Sequence, residues 1–460
     1  MRFPFLAKLL TVGGVALMVW VPLGATRGKI EERQRLNNDA RHSIAESSAG
    51  EQRVVAPVLR LACLESYLDE RTVGEKGHER IVREKKEREC PPLYLAPDAL
   101  EVTGRVDLEQ TPRYRGIHRV RLYRAPLKVA GRYKLPEIPE QRPDTGRRFG
   151  YAQLVLPIAD ARGVKNTPRL TLNGAAYEFK PGTGSAILGQ GLSAGLGAGN
   201  QLGRDVTFSF DLELAGMERF SVVPFARNAV VKLASNWPAP SFTGKFLPDE
   251  RKVSEDGFTA EWRINEFASG GEAALRDWLA KPAGEQGVPT AWSNAAPALT
   301  INLIEPVNLY LQSYRAAEYG FLFIGLTFML VLAFELAGAA RVHPVQYGLV
   351  GMALAVFFLL LIALAEHIGF ARAYLAAACG SVSLITWYAI GMLGSAKRGL
   401  AVGVSSAALF GVLHMLLRSE DYALLMGALL VFAVLAALML ATRRLDWYGI
   451  GEKLKVSGKP

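Results

Sequence analysis

Long apolar runs divide this chain into a short leading segment, a polar middle and an apolar final third. One run lies near the amino terminus, and five more follow residue 319. A helix needs about 20 consecutive apolar residues to cross a bilayer core about 30 Å thick, and every run is close to that length. The runs are Phe5 to Leu23, Gly320 to Ala340, Val345 to Ala365, Tyr374 to Leu393, Leu400 to Leu417 and Tyr422 to Ala441. This pattern predicts a multi-domain membrane protein with an α-helical transmembrane bundle of about six helices.

The first run has two interpretations. It is either an uncleaved anchor or a signal peptide that is removed after export. Cleavage requires small residues at two recognition positions, and the nearest candidate site, which ends at Ala25, has the bulky Leu23 two places earlier. We therefore favour the anchor.

Orientation follows from the Lys and Arg residues of the short loops, because positively charged flanks remain in the cytoplasm. With the amino terminus inside, the cytoplasmic loops and tail carry Arg341, Lys397, Arg398, Arg443, Arg444, Lys453, Lys455 and Lys459. The opposite short loops carry Arg372 and Arg418. Four basic residues after the first run oppose this assignment: Arg27, Lys29, Arg33 and Arg35. Long translocated domains largely escape the charge rule, so we expect a cytoplasmic amino terminus and a large periplasmic domain.

The polar middle of the chain shows a period of two, which is typical of half-buried strands. Apolar and polar residues alternate strictly from Thr207 to Leu214 and from Phe258 to Ile264. Weaker strand signals are Val54 to Leu61, Val120 to Tyr123, Leu154 to Ile158, Leu170 to Leu172 and Val230 to Leu233. No long segment with a helical period separates them, which disfavours a parallel sheet. The expected fold is a mostly-β, sandwich-like periplasmic domain attached to the helical bundle.

The segment from Lys29 to Glu46 is an exception within the middle region. It lacks Gly and Pro and is rich in Arg and Glu, which favours a helix that continues out of the first span as a stalk. The predicted organisation is an N-terminal transmembrane anchor (1–25), a stalk helix (26–50), a periplasmic β-rich domain (51–318), a five-helix transmembrane bundle (319–445) and a basic cytoplasmic tail (446–460).

Composition and cysteine content narrow the function classes. The net charge of +10 would suit a soluble polyanion binder, but much of the excess lies in loops that set orientation, so we expect no nucleic acid partner. Cys63 and Cys90 lie in the expected periplasmic domain, where oxidation is permitted. They bracket the charged segment Glu70 to Glu89, with seven basic and six acidic residues, which indicates a solvated arm. The sequence does not decide whether Cys63 and Cys90 form a disulfide or remain two free thiols.

Two catalytic patterns occur in the Gly-rich run from Gly182 to Gly203. Gly191, Ser193 and Gly195 match the serine hydrolase elbow, but no histidine follows Ser193 before residue 343. A loose dinucleotide fingerprint in the same run lacks the strand and helix that it requires. We interpret the run as a flexible or closely packed loop. The chain also has no C-x-x-C or H-E-x-x-H motif, so we predict no catalytic residue, no metal site and no cofactor.

Ionisable residues lie within or beside the apolar runs: Glu335, Glu366, His367, His414, Arg418, Glu420 and Asp421. Charges at membrane depth are costly and often mark a functional site. Residues near span ends can instead reach the lipid headgroups. We favour the headgroup explanation for Glu335, Glu366 and Glu420, while the functional one remains open.

Small residues predict close helix packing on the fifth run. Gly399 with Gly403, and Ala407 with Gly411, are spaced four residues apart. That spacing lets two helices approach closely. It indicates a packed bundle rather than isolated anchors.

Several motifs resemble the CreD family of inner-membrane proteins. In the membrane half they are His343-Pro344-Val345-Gln346-Tyr347-Gly348-Leu349-Val350-Gly351, Ala365-Glu366-His367-Ile368-Gly369-Phe370, Leu417-Arg418-Ser419-Glu420-Asp421-Tyr422-Ala423-Leu424-Leu425 and Thr442-Arg443-Arg444-Leu445-Asp446-Trp447-Tyr448. Shorter motifs in the other half include Arg115-Gly116-Ile117, Asp160-Ala161-Arg162-Gly163, Asn173-Gly174, Phe179-Lys180-Pro181-Gly182, Ser235-Asn236-Trp237 and Phe246-Leu247-Pro248. The resemblance covers nearly the whole chain.

The resemblance implies a role in cell-envelope integrity, within the response of a two-component envelope or nutrient sensor, and no assigned reaction. The leading hypothesis is a non-enzymatic protein whose periplasmic domain contacts an envelope protein or peptidoglycan and whose bundle contacts membrane lipids. One alternative is a transporter or lipid-handling protein that binds its ligand through Glu366, His367, Arg418, Glu420 and Asp421. Another is a sensory partner that signals inward through the basic tail and through the cytoplasmic loop with His343 and Gln346.

Overall fold

The apolar residues that recur along the strands and helices are buried in two large hydrophobic cores, one in each of two units. The computed structural model describes residues 4–73, 80–116, 118–135, 147–198, 202, 204–280, 297–303, 309–338, 342–418 and 423–442. Asp39–Pro306 form one unit, here called the β unit. Met1–Asn38 and Val307–Pro460 form the other, here called the helical unit. The predicted tail (446–460), Glu420 and Asp421 lie outside the described residues.

Helices account for most of the described helical unit. The α-helices of both units, in chain order, are α1 (Pro4–Ser47), α2 (Glu266–Ser269), α3 (Gly271–Ala280), α4 (Leu309–Glu318), α5 (Gly320–Gly338), α6 (Pro344–Ile368), α7 (Phe370–Leu393), α8 (Ala396–Arg418) and α9 (Ala423–Thr442). The first helix passes without interruption through the segment predicted as a stalk. The short helices α2 and α3 belong to the β unit, whereas α4 belongs to the helical unit.

The apolar helices confirm a membrane protein. Within the described residues, four helices are long and apolar enough to cross a membrane: Leu10–Ser47 in α1, α6, α7, and Ala396–Leu417 in α8. The pair α4 and α5 qualifies as a fifth span if it is counted as one, with a bend of 43° between its parts. The helix α9 covers most of the sixth predicted run. The number of six spans stays a prediction.

Aromatic side chains and small residues pack the helical unit. The Phe357 ring lies 4.7 Å from that of Phe410 and 5.5 Å from that of Tyr374, measured between centroids. Interlocking edge-to-face rings of this kind bury a large area and fix the spacing of α6, α7 and α8.

The predicted glycine contact on α8 is confirmed for one pair. A methyl group added at Gly399 or Gly403 would collide with Ile390 or Thr386 of α7. The second pair was predicted wrongly, because Ala407 and Gly411 are exposed and Gly411 has no atom within 4 Å of such a methyl position. Spacing alone does not decide which face of a helix meets a neighbour.

Strands dominate the β unit, which confirms the β-rich prediction. They are β1 (Gln52–Val55), β2 (Val58–Val73), β3 (Arg80–Leu95), β4 (Ala99–Arg105), β5 (Asp107–Leu108), β6 (Arg113–Arg115), β7 (His118–Val120), β8 (Leu122–Lys134), β9 (Arg147–Pro157), β10 (Arg169–Leu172), β11 (Ala175–Glu178), β12 (Lys180–Pro181), β13 (Gly191–Ala198), β14 (Asp205–Met217), β15 (Arg219–Val223), β16 (Asn228–Ser235), β17 (Ser241–Gly244), β18 (Glu250–Ser254), β19 (Gly257–Asn265) and β20 (Leu299–Asn302). The two strictly alternating segments lie in β14 and β19.

Three larger sheets share one continuous core. A nine-stranded sheet has the order β11-β10-β14-β8-β4-β16-β19-β18, with β5 paired to β8. A five-stranded sheet has the order β12-β13-β9-β2-β3, and a four-stranded sheet the order β1-β15-β20-β17. Most pairs are antiparallel, but β1 with β15 and β4 with β16 are parallel. The mixed sheets support the predicted fold class coarsely, and the sandwich-like arrangement stays a prediction.

Part of the Gly-rich run is a strand, so its interpretation as a loop was wrong for β13. Leu192, Ala194 and Leu196 are buried at a spacing of two, and the first two pair with β9. At Gly191 the φ angle is +149°, and a side chain would collide with the Leu156 carbonyl. Close backbone contact therefore selects glycine here. Ser193 lies within this paired strand rather than at an elbow.

The charged arm is a hairpin of β2 and β3. Their pairing extends from Leu59 with Leu95 to Val73 with Arg80. Cys63 and Cys90 are direct neighbours across the hairpin, with Cα atoms 5.0 Å apart, and the structure joins them by a disulfide.

Candidate functional site

Three helices of the helical unit meet at the carboxylate of Glu366. The last turn of α6 positions Glu366, and only 7% of its side chain is exposed. The Tyr310 hydroxyl of α4 donates to Oε1 at 3.3 Å, and Arg33 Nη1 of α1 lies 3.8 Å from Oε2. Hydrogen bonding and a nearby cation offset the cost of enclosing a carboxylate. The prediction that Glu366 reaches the headgroups was therefore wrong, because Tyr310 and Arg33 enclose its carboxylate within the helical unit.

The other predicted binding residues are not brought to this carboxylate by the described structure. His367 is exposed, and it makes no hydrogen bond or ion pair within the described part of the chain. The side chain of Arg418 lies outside the described residues, as do Glu420 and Asp421. The five-residue binding group stays a prediction, with Glu366 as its best-defined member.

A second polar contact joins α7 and α8. The Tyr374 hydroxyl donates to the Phe410 carbonyl at 2.6 Å, and the ring of Tyr374 lies 4.9 Å from that of His414. Both side chains fill space between the two helices. This placement supports a packing role for His414.

Arg27 fixes the break between α4 and α5. Its Nε and Nη2 donate to the Ala317 carbonyl at 3.3 and 3.0 Å, at the carboxyl end of α4. Guanidinium groups satisfy carbonyls that a helix end leaves without partners. Gly320 then allows α5 to pass close to Leu23 and Phe358.

Sequence reasoning missed these roles, although a signal existed. Arg27 and Arg33 belong to the basic residues that oppose the charge rule. Their partners within the helical unit explain why they lie there. Basic residues that contradict the expected orientation can thus indicate internal carboxylates or helix ends.

Glu335 was predicted to reach the headgroups, and this was wrong. Its side chain is buried, with 4% of the residue exposed. Oε1 accepts a hydrogen bond from the Val342 N–H at 2.9 Å, and Oε2 accepts one from the Tyr347 hydroxyl at 2.9 Å. The carboxylate ties the end of α5 to the start of α6, since hydrogen bonds to a buried charge are strong.

His343 and Gln346 form a capping box at the start of α6. His343 Nδ1 accepts from the Val345 N–H at 3.3 Å, and Gln346 Oε1 accepts from the His343 N–H at 2.9 Å. Pro344 occupies the first helical position, where no N–H is needed. These contacts give the two residues a structural role, while signalling through this loop stays a prediction.

In the β unit, Arg162 clamps the carboxyl end of α1. Its guanidinium donates to the carbonyls of Glu46 at 2.6 Å and Ala45 at 3.4 Å. The same group binds Asp160 through both carboxylate oxygens, at 2.9 and 2.7 Å. Asp160 also accepts from the Gly50 N–H at 3.1 Å. Burial acts to raise the pKa of Asp160, but the hydrogen bonds from Arg162 and Gly50 outweigh it and lower that pKa.

Gln52 links the Asp160 backbone to strand β14. Its Nε2 donates to the Asp160 carbonyl at 3.1 Å and to the Ala215 carbonyl at 2.9 Å. A side chain at Gly163 would collide with both Gln52 and the Ala215 carbonyl. The motif Asp160-Ala161-Arg162-Gly163 is therefore built for the junction of α1 with the sheets.

A half-buried carboxylate lies beside the same helix end. Arg41 Nη1 lies 3.3 Å from Glu218 Oε1, and Glu218 has a φ of +60° in the turn between β14 and β15. Burial raises the pKa of Glu218, and the attraction of Arg41 only partly opposes that rise. Ile44 of α1 packs nearby on Met217 and Leu122.

The remaining motif residues of the β unit also serve the fold. The side-chain amide of Asn236 accepts from the Leu108 N–H at 2.8 Å and donates to the Leu108 carbonyl at 3.0 Å. These two bonds are the pair that the backbone of an adjacent strand residue would make. Asn173 has a φ of +48° before Gly174, and its side chain accepts from the Thr207 N–H at 2.8 Å. Such residues stabilise turns and strand ends.

At the base of the arm, Glu65 joins two arginines from neighbouring strands. Arg88 Nη2 lies 2.9 Å and Arg147 Nε 3.1 Å from its carboxylate oxygens. Hydrogen bonds from Arg88 and then Arg147 lower the pKa of Glu65. Among the described residues, no group of three or more His, Cys, Asp or Glu side chains could hold a metal ion.

The fold and these contacts define a multi-pass membrane protein with a β unit clamped to the end of its first helix. Residues 4–448 match the family model described as Inner membrane protein CreD. A relative named Inner membrane protein CreD, from Escherichia coli (strain K12), is 33% identical over 464 residues, which cover 99% of this chain and 97% of that protein. The chain belongs to the CreD family of inner-membrane proteins.

Proposed function

We propose that this protein is a non-enzymatic inner-membrane protein that maintains cell-envelope integrity under envelope or nutrient stress. In this proposal the β unit lies in the periplasm and contacts an envelope protein or peptidoglycan. The amino terminus and the carboxyl tail lie in the cytoplasm. The basic residues of the short loops support this orientation.

The observation that carries the proposal is the use of the motif residues in the β unit. Arg162 and Asp160 bind the end of α1, and Asn236 binds a neighbouring strand. Their polar groups are thus engaged in holding the β unit together and fixing it to its helix. Side chains used in this way favour presentation of a rigid surface over chemistry on a substrate.

The disulfide supports the periplasmic location. Cys63 and Cys90 are joined across the β2–β3 hairpin. Such bonds persist in the oxidising periplasm and are rare in the reducing cytoplasm. The location also explains how the charged arm could meet components of the cell wall.

Gene deletion with complementation tests the proposed role. Under inducing conditions, loss of the gene is expected to raise detergent sensitivity and leakage of periplasmic enzymes, and the full-length protein is expected to restore both. A deletion strain that matches the parent in both measurements would contradict the proposal.

A chain with residues 66–87 replaced by Asn-Gly tests whether the arm makes the contact. The disulfide remains in this chain, so its expression level and thermal midpoint serve as folding controls.

One specific observation favours a second candidate, a transporter or lipid-handling protein. The Glu366 carboxylate is almost fully enclosed, yet its contacts with Tyr310 and Arg33 are long. An enclosed charge with exchangeable partners suits transient ligand binding. Glu366→Gln keeps the shape of the side chain and removes its charge. Arg372→Gln removes the charge of an exposed residue of α7 outside the predicted binding group, and it is the matched control. Loss of rescue by the first variant alone would favour this candidate, while full rescue by both would count against it.

A further inference from the structure

An apolar groove of about 220 Å³ runs between α1 and α6 in the helical unit. Each helix lines it with residues spaced by three and four positions, which is one face of a helix. The lining residues are Pro22, Ala25, Thr26 and Lys29 from α1, and Met352, Ala355, Val356 and Leu359 from α6. Both helices are apolar enough to cross a membrane, so the groove lies at membrane depth.

Small residues open this groove beside a tight contact. At Gly351, a methyl group would stand only 2.7 Å from Val19 and 2.8 Å from Phe328, so the helices touch there. Further along, Ala355 forms a buried floor, while Val356 and Leu359 remain 42% and 45% exposed on the rim. Ala355, Val356 and Leu359 therefore give the groove an apolar lining that a hydrocarbon chain can contact.

The polar groups of the groove lie toward one end. The Thr26 hydroxyl donates to the Pro22 carbonyl at 3.0 Å, which leaves the wall apolar. Lys29 lies six residues beyond the first apolar run, about 9 Å along the helix. Its ammonium lies 2.7 Å from Glu32, and both side chains are largely exposed. Both side chains lie beyond the first apolar run, where a long Lys side chain reaches the headgroup region and a lipid phosphate can compete with Glu32 for the ammonium.

We propose that this groove binds one acyl chain of an anionic phospholipid, whose phosphate binds the ammonium of Lys29. An apolar trough that ends at a cation complements a lipid with a hydrocarbon chain and a negative headgroup. Glu366 is not among the residues that line the groove, and the proposal does not depend on the proposed envelope function.

Competition between two lipids tests the charged end. Full-length protein in mild detergent is mixed with equal amounts of phosphatidylglycerol and phosphatidylcholine of identical chains, and bound lipid is counted by native mass spectrometry. The wild-type protein is expected to retain more phosphatidylglycerol. Lys29→Gln is expected to lower the bound ratio about fivefold, since one such cation near a lipid surface contributes about that much. Glu32→Gln removes the competing carboxylate and is expected to raise the ratio.

Filling the groove tests the apolar part. Ala355→Phe is expected to displace both lipids, and Ala25→Leu tests the same space from α1 should the first variant fail to fold. Ala407→Phe, at an exposed alanine of α8, is the matched control and is expected to retain lipid. An unchanged lipid ratio in Lys29→Gln, or wild-type retention in folded Ala355→Phe or Ala25→Leu protein, would overturn the proposal.

Discussion

At the scale of single residues, arginines secure helix ends in both units. Arg27 satisfies a carbonyl at the end of α4, and Arg162 satisfies two at the end of α1. The carboxyl end of a helix carries partial negative charge and unpaired acceptors, so a guanidinium is a suitable cap. Asp160 holds Arg162 in place through a two-pronged hydrogen bond.

Removing the Arg162 guanidinium is expected to loosen the junction. Arg162→Ala removes the donors that Asp160 and two carbonyls share. It should lower the free energy of unfolding by about 1 kcal/mol, because the carbonyls are exposed and water can replace the guanidinium. Thermal unfolding of the full-length protein in detergent would measure this. Arg162→Lys is the matched variant, and it should recover only part of the loss because an ammonium lacks the planar fork. Equal stability of all three proteins would contradict the clamp.

The two carboxylates at this junction give opposite pH dependences. The folded pKa of Asp160 lies below its ordinary 3.8, so its contribution is present above that pH and is lost as the pH falls further. The folded pKa of Glu218 lies above its ordinary 4.5, so stability is lost as the pH rises from 4.5 through the folded value. Asp160→Asn should therefore cost stability at pH 7 and less below pH 3.8, whereas Glu218→Gln should gain stability relative to wild type between pH 4 and 7. Denaturant titrations at several pH values would show both trends.

At the scale of elements, helix packing depends on the face that a small residue occupies. Gly403 lies against Thr386 of α7, whereas Gly411 lies on an open surface of the same helix. The two glycines differ in contact but not in helix propensity. They form a natural pair for comparison.

Gly403→Leu is expected to separate α7 from α8. Overpacking of this kind costs about 1–3 kcal/mol, which should appear as a lower thermal midpoint in detergent. Gly411→Leu gains the same helix propensity and meets no neighbour, so its midpoint should not fall. If both variants melted alike, the α7–α8 contact would not be the cause.

The β2–β3 hairpin gives another test at this scale. Its disulfide closes a separation of 27 residues, and loss of such a bond costs about 3.5 kcal/mol in the chain-entropy estimate. Cys63→Ser with Cys90→Ser should therefore unfold the β unit at lower denaturant. In the unreduced wild type, only Cys379 should react with a thiol reagent. Alkylation of all three cysteines without reductant would rule out the bond.

At the scale of the whole molecule, the orientation predicted from loop charge is open to direct labelling. In a Cys379→Ala background, Asp256→Cys marks an exposed turn of the β unit, and Lys397→Cys marks the exposed first turn of α8. A membrane-impermeant maleimide should label the first in intact spheroplasts and the second only after permeabilisation. The reverse pattern would invert the proposed topology.

The sequence by itself determined the membrane class, the β-rich middle and the family, because apolar length and period are local properties of the chain. Only the tertiary structure decided which polar residues meet. Arg27 and Ala317 are 290 positions apart, and Gln52 and Ala215 are 163 apart. No periodic pattern links such partners. The burial of Glu335 and the exposure of Gly411 depended likewise on neighbouring helices, since a residue's position along the chain does not specify the face on which a neighbour packs.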